Sequence, residues 1–119
     1  LEEMSTRGLK WKNNVVISSM CTVFAESEVV SLVAQNKDVA DIIHGLNVSV
    51  ASKVGALAAR LGQNNPGEYM MTGGVAQNQG IVEALEEKLG AKLYICDEAQ
   101  LCGALGAALF AYEKCQAAK

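Results

Sequence analysis

The stretch Tyr69-Met70-Met71-Thr72-Gly73-Gly74-Val75-Ala76-Gln77-Asn78 decides the fold. Tyr69 to Thr72 have the composition of a buried strand, and the double glycine ends it. Asn78 stands where it can cap a helix whose inner face is Ile81, Val82, Leu85 and Leu89, with Glu83, Glu86, Glu87 and Lys88 outside. Gly90 stops that helix, and Leu93-Tyr94-Ile95 reads as the next strand. A strand, a glycine turn, a helix and a second strand make a crossover unit, so the fold class is α/β with a largely parallel sheet covered by helices.

The flanks extend the same alternation. Upstream, Val15-Val16-Ile17 has strand composition, and Ser18-Ser19 can turn the chain and cap a helix that begins near Cys21 and ends near Asn36. Ala25, Val29, Leu32 and Val33 recur on it at helical spacing, while Glu26 and Glu28 sit near its start, where the helix dipole favours anions. Asp38 reads as the cap of the longest helix, with Asp41 in its first turn and an apolar face running from Val39 through Ile43, Val50 and Val54 to Leu61. Residues 62–67, with the only proline, form a loop. Downstream, Asp97 is expected to cap a last helix from about Glu98 to Lys114. The order is strand, helix, helix, strand, helix, strand, helix, and residues 1–14 remain unassigned.

Composition narrows the function classes. A chain of 119 residues, half of them hydrophobic, suits one domain that buries roughly two thirds of its unfolded surface. Ten Lys and Arg stand against thirteen Asp and Glu with no basic stripe, which argues against a nucleic-acid partner. The longest apolar run, Leu101 to Tyr112, falls short of the ~20 residues that span a bilayer, so no membrane role and a cytoplasmic location are expected. Cys21, Cys96, Cys102 and Cys115 include no C-x-x-C pair, which suggests reduced thiols and excludes a zinc ribbon or ferredoxin-type run.

Three constellations carry possible chemistry. Gly73-Gly74 ends a strand at the sheet edge where ligands of open α/β sheets bind. It lets a ligand approach the backbone, and the following helix N-terminus offers amide donors. A lone double glycine is more often a plain tight turn without a ligand. Gln77 and Asn78 beside it have amides that can read a base or ribose edge, and Gln100, at the same sheet edge, can face the same ligand. In the last helix Gly103 and Gly106 lie on one face, each costing about 1 kcal/mol against alanine, and close packing of another element is the expected return. Cys21 stands at a helix start, where the dipole favours a thiolate ligand or nucleophile, although most such cysteines are small buried hydrophobes. His44 reads as structural, and Lys53 with Arg60 as a solvated edge.

Together, Ser18-Ser19-Met20-Cys21-Thr22-Val23-Phe24-Ala25-Glu26-Ser27-Glu28-Val29, the double-glycine stretch and Gly103-Ala104-Leu105-Gly106-Ala107-Ala108-Leu109 resemble the ATP-dependent activators of 2-hydroxyacyl-CoA dehydratases and the ATP-binding subunits of benzoyl-CoA reductase. The match runs from about Asn14 to Lys114. It implies one half of a ribonuclease-H-like fold, the superfamily of acetate and sugar kinases, heat-shock seventy and actin. It also implies an ATPase that uses ATP or ADP with magnesium and drives single electrons from a 4Fe-4S cluster into its partner dehydratase or reductase. The cluster would be shared across a homodimer, with Cys21 the second of two ligands from each subunit and a low-potential donor such as ferredoxin or flavodoxin. Gly73, Gly74, Gln77 and Gln100 match positions that look like nucleotide contacts, and no catalytic residue is assigned. The family's glycine-rich phosphate-binding hairpin and its other cluster cysteine have no counterpart in these residues, so the chain is expected to be a carboxy-terminal fragment, adenosine-binding and cluster-bearing over 1–119, without ATPase activity of its own. Where many members place a proline before the last helix, this chain has Cys96-Asp97-Glu98. The rival readings are the carboxy-terminal lobe of a sugar or acyl kinase, which has no use for Cys21, and a non-catalytic interaction module of the same fold.

Overall fold

Val15 and Ile17 bury their side chains against the long central helix, and around that contact the amino-terminal part of the chain is organised. The computed structural model describes residues 2–18, 21–61 and 68–117. Ser19 of the expected turn and the loop over 62–67 lie outside them. The elements are α1 (Glu2–Arg7) continued by a 3-10 turn Gly8–Lys10, α2 (Thr22–Ala34), α3 (Val39–Leu61), β1 (Tyr69–Met70), a 3-10 turn Gly74–Gln77, α4 (Gln79–Leu89), β2 (Leu93–Tyr94), a 3-10 turn Ala99–Leu101 and α5 (Cys102–Ala117).

β1 and β2 pair in parallel, Tyr69 opposite Leu93 and Met70 opposite Tyr94, with α4 as the crossover between them. The amide of Met71 extends the ladder to the carbonyl of Tyr94 at 3.0 Å. One face of this pair is covered: Met71 and Leu93 pack with Leu89 on Ala51 of α3 and Ala84 and Leu85 of α4. Met70 and Tyr94 stand exposed on the other face, so β1 is buried on one side only, not throughout. Glu86 of α4 holds the start of β2, accepting from the Leu93 amide at 2.9 Å and from Lys92 Nζ at 2.6 Å; those donors keep its carboxyl below the ordinary value.

Several local expectations are met and others corrected. Asn78 caps α4 through its side chain to the Ile81 amide, Gly90 ends it in the left-handed conformation, and the Asp38 carboxylate accepts from the Ala40 amide at the start of α3. Val15-Val16-Ile17 is extended and two of its side chains are buried, yet it has no ladder partner among the described residues and is not a strand there. No acidic residue lies in the first turn of α2: Glu28 is a turn further along, and its carboxylate accepts instead from the amide and hydroxyl of Ser18, both at 2.9 Å. Asp97 caps nothing; a 3-10 turn without a side-chain cap precedes α5, which starts at Cys102 and runs to Ala117.

α3 meets the length and hydropathy of a membrane span over Val39–Arg60. Its buried stripe of Ala40, Ile43, Asn47 and Ala51 packs on protein, however, against the turn Gly8–Lys10 and α4, as a core helix does. Of the apolar face read from the sequence, Val39, Val50, Val54 and Leu57 are exposed, because small residues let neighbours approach on the adjacent side. A Cβ added at Gly45 would run into the carbonyl oxygen of Val15. The radius of gyration is 17.7 Å, against about 13.5 Å for a compact chain of this length. Neither α2 nor α5 has a buried residue. Gly103 and Gly106 correspondingly meet nothing within 4 Å, so the close packing expected of them does not occur among the described residues.

Asp41 ties the amino-terminal segment down. It is 2% exposed and accepts from the amides of Lys12 (2.7 Å) and Asn13 (3.0 Å) and from Asn13 Nδ2 (3.0 Å). These bonds, the Lys12 amide first, hold its carboxyl below the ordinary value of 3.8. Trp11 is fixed beside it by stacking on His44, ring centres 4.0 Å apart and 7° from parallel, which makes His44 structural as expected.

Two outcomes are expected. Gly45→Ala destabilises by about 1–3 kcal/mol in denaturant melts, because the new methyl group pushes α3 off the Val15 backbone. Asp41→Asn lowers Tm by several degrees at neutral pH. Because the folded-state pKa of Asp41 is depressed, its stabilisation is full above the unfolded value and is lost as pH falls through the folded one. The difference between the two proteins therefore shrinks as pH drops below that of ordinary carboxylates, and a pH series of thermal melts checks it.

Candidate functional site

The parallel pair sends both of its carboxyl ends to one edge, so the residues after β1 and β2 leave side by side. Gly73 takes φ 90°, where a Cβ would be strained, and turns the chain into Gly74–Gln77. Its amide donates to the carbonyl of Ala99 at 2.7 Å, which fastens the turn after β1 to the turn after β2. The outcome is visible one step along each turn: Gln77 Nε2 donates to Gln100 Oε1 at 2.8 Å. Residues twenty-three apart in the chain thus meet, both exposed, at the sheet edge where the sequence reading put them.

Gly74, Val75, Gln77, Asn78 and Gln100 line a cleft of about 1020 Å³ whose far wall is α1, through Met4, Ser5 and Thr6. A Cβ built on Gly74 meets nothing within 4 Å, so this glycine leaves bare backbone facing open space. Gln100 lies in the 3-10 turn Ala99–Leu101 and not in the first turn of α5, where the sequence placed it; the correction leaves it at the expected edge. The cleft carries no charged side chain, and its polar groups are amides and hydroxyls.

The start of α4 differs from expectation. Its amides read as donors free for a polar or anionic group, yet the Gln79 amide donates to Ser5 Oγ at 2.9 Å and the Ile81 amide to Asn78 Oδ1 at 3.3 Å. Those donors are engaged within the protein, and the cleft suits a neutral, flat, hydrogen-bonding group better than a phosphate at this helix end. Ser5 is the residue that sequence reasoning missed. It is buried and caps a helix seventy-four residues away, and nothing in the pattern of residues 1–14 signals a contact so distant.

Cys21 is exposed at the amino-terminal cap of α2 and does not line this cleft. Lys53 and Arg60 border a second cleft, of about 560 Å³, between α3 and the extended residues 14–18. Cys96 and Cys102 flank the turn that carries Gln100, with their sulfurs 3.7 Å apart. The Cys96 sulfur, then partial burial, pushes the Cys102 thiol above its ordinary value.

Comparison with known proteins gives this arrangement a context. The (R)-2-hydroxyglutaryl-CoA dehydratase activating ATPase of Acidaminococcus fermentans is 50% identical over 114 residues, covering 96% of this chain and 43% of that protein. The crystal structure of the (R)-2-hydroxyglutaryl-CoA dehydratase component A of the same organism superposes with a TM-score of 0.86 at 51% identity, over 99% of this chain and 44% of that one. An activator of the 2-hydroxyisocaproyl-CoA dehydratase from Clostridium difficile, solved with bound ADPNP, gives 0.85 at 42% identity, over 98% and 43%. The chain thus spans less than half the length of these relatives, and its α/β fold is the ribonuclease-H-like one they carry. The model of the BadF/BadG/BcrA/BcrD ATPase family matches residues 1–111, and the chain belongs to that family.

Proposed function

We propose that this chain is the adenosine-binding half of an ATP-driven activator that passes low-potential electrons, one at a time, to a 2-hydroxyacyl-CoA dehydratase or benzoyl-CoA reductase. The observation that carries the reading is the meeting of Gly74, Gln77 and Gln100 at one cleft, held by the bond from Gly73 to Ala99, in a fold shared with an activator solved with ADPNP.

The residues fit a nucleoside. Gly74 leaves room for a planar ring against the backbone, and the amides of Gln77 and Gln100 each offer a carbonyl and an NH₂ to a base or ribose edge. In the absence of that edge they satisfy one another across 2.8 Å, so binding exchanges one hydrogen bond for others. The cleft lining contains no carboxylate, so the groups that position magnesium and the γ-phosphate are sought outside it, and no catalytic residue is assigned within this chain.

Cys21 is the proposed ligand to a 4Fe-4S cluster shared across a homodimer, the cluster supplying the electron that the activator delivers. Its exposure and its place at the cap of α2 leave the sulfur accessible to a neighbouring group. Among the described residues no three His, Cys, Asp or Glu side chains are grouped to hold a metal ion. Four thiolates hold a cubane cluster, so Cys21 would be one member of a set completed beyond these residues. The electron donor proposed is a low-potential protein of the ferredoxin or flavodoxin kind, and the location cytoplasmic.

Two measurements on the full-length protein test the two halves of the proposal separately. Gly74→Val is expected to weaken ADP binding at least tenfold by titration while shifting the denaturant midpoint little, because its side chain enters the space left for ligand. Equal losses in binding and folding would mark a structural turn. Under anaerobic purification, Cys21→Ser is expected to lose iron and sulfide, whereas Cys102→Ser retains both. A cluster retained in Cys21→Ser would remove the ligand assignment.

A further inference from the structure

Cys96 and Cys102 are the one pair of sulfurs recorded in contact among the described residues, at 3.7 Å, and both are partly buried. They bracket a tight turn. The Ala99 amide donates to the carbonyl of Cys96 at 3.0 Å, the Leu101 amide to that of Glu98 at 2.8 Å, and Cys102 opens α5. A disulfide needs sulfurs about 2.05 Å apart, so the atoms must approach by roughly 1.6 Å. Rotation of two side chains on a short turn can supply a movement of that size. The turn also carries Gln100, and its Ala99 carbonyl accepts the Gly73 amide at 2.7 Å.

We propose that Cys96 and Cys102 form a reversible disulfide, a thiol redox site that latches the turn between β2 and α5 when a peroxide is present. In the first step one thiolate sulfur attacks the peroxide, the O–O bond breaks, the sulfur becomes a sulfenic acid and one water leaves. In the second the other thiol sulfur attacks the sulfenic sulfur, the S–O bond breaks, the S–S bond forms and a second water leaves. Two thiols are oxidised and one hydrogen peroxide is reduced to two waters. Either sulfur can attack first, and the other, in contact with it at 3.7 Å, resolves the sulfenic acid.

The crosslink closes a seven-residue ring around Ala99, Gln100 and Leu101, removing open conformations of that turn. Because Gly73 is bonded to Ala99, the restraint reaches the glycine turn as well. This inference goes beyond the proposed function and needs no part of it, since neither nucleotide nor cluster enters the argument.

The test uses the reduced full-length protein, treated anaerobically with equimolar hydrogen peroxide. Trypsin releases Leu93–Lys114, which contains Cys96 and Cys102 but neither Cys21 nor Cys115. The expected result is that this peptide becomes lighter by two hydrogen atoms, resists alkylation and is restored by dithiothreitol. Hydrogen exchange at the Gly73, Ala99 and Leu101 amides should slow roughly tenfold on oxidation. Cys102→Ser, or Cys102→Ala where the hydroxyl disturbs packing, should show neither change. Free alkylation of both thiols after peroxide, linkage to Cys21 or Cys115 instead, or a crosslink without slower exchange at those three amides would each overturn the proposal.

Discussion

Parallel pairing of two short strands is the constraint on which the rest of the site depends. A parallel pair cannot be joined by a hairpin; it needs a crossover, and α4 is that crossover. The two strands therefore point the same way, and the segments that follow them leave from the same edge. One backbone hydrogen bond, Gly73 to Ala99 at 2.7 Å, converts this neighbourhood into a fixed spacing. Gln77 and Gln100 meet because of it, and the same bond connects the glycine turn to the Cys96–Cys102 turn.

The features legible in the sequence were those set by short-range chemistry. Asn78, Gly90 and Asp38 work within a few residues of themselves, so their capping roles could be read from spacing alone. The double glycine, with its positive φ at Gly73, was legible for the same reason. The approach of Gln77 and Gln100 was legible because strands that run the same way bring the turns after them to one sheet edge; the resemblance added only the nucleotide expected there.

What was not legible came from partners far along the chain. Glu28 looked like a dipole-compensating residue but bonds Ser18, and Asp41, which does lie in the first turn of α3 as read, is also buried under the Lys12 and Asn13 amides. In both cases a carboxylate with two oxygens found backbone donors that local pattern could not predict, and buried donors and acceptors are almost always paired somewhere. Val15-Val16-Ile17 shows the converse: strand composition describes a preference for extended backbone and burial, both present, but a ladder requires a neighbour that composition does not specify. Asp97 failed as a cap because a 3-10 turn intervened and moved the start of α5 to Cys102.

The uneven distribution of burial bears on how the two functional regions differ in rigidity. The cleft is built on α4 and the strand pair, which pack on α3 through Ala51, Ala84 and Leu85, and its wall is pinned by the bond from Gln79 to Ser5. Cys21 rides on α2, and Gly103 and Gly106 on α5; these helices bury no residue fully and leave Val23, Phe24, Leu105 and Phe110 exposed. Helices of this length gain most of their stability from packing an apolar face. The described core therefore holds the cleft firmly while leaving the helix that bears the candidate metal ligand dependent on further contacts. In an activator of the proposed kind that division is useful in itself: adenosine can be read by a rigid edge, and a thiolate on a loosely packed helix can adjust to a ligand set assembled from more than one polypeptide.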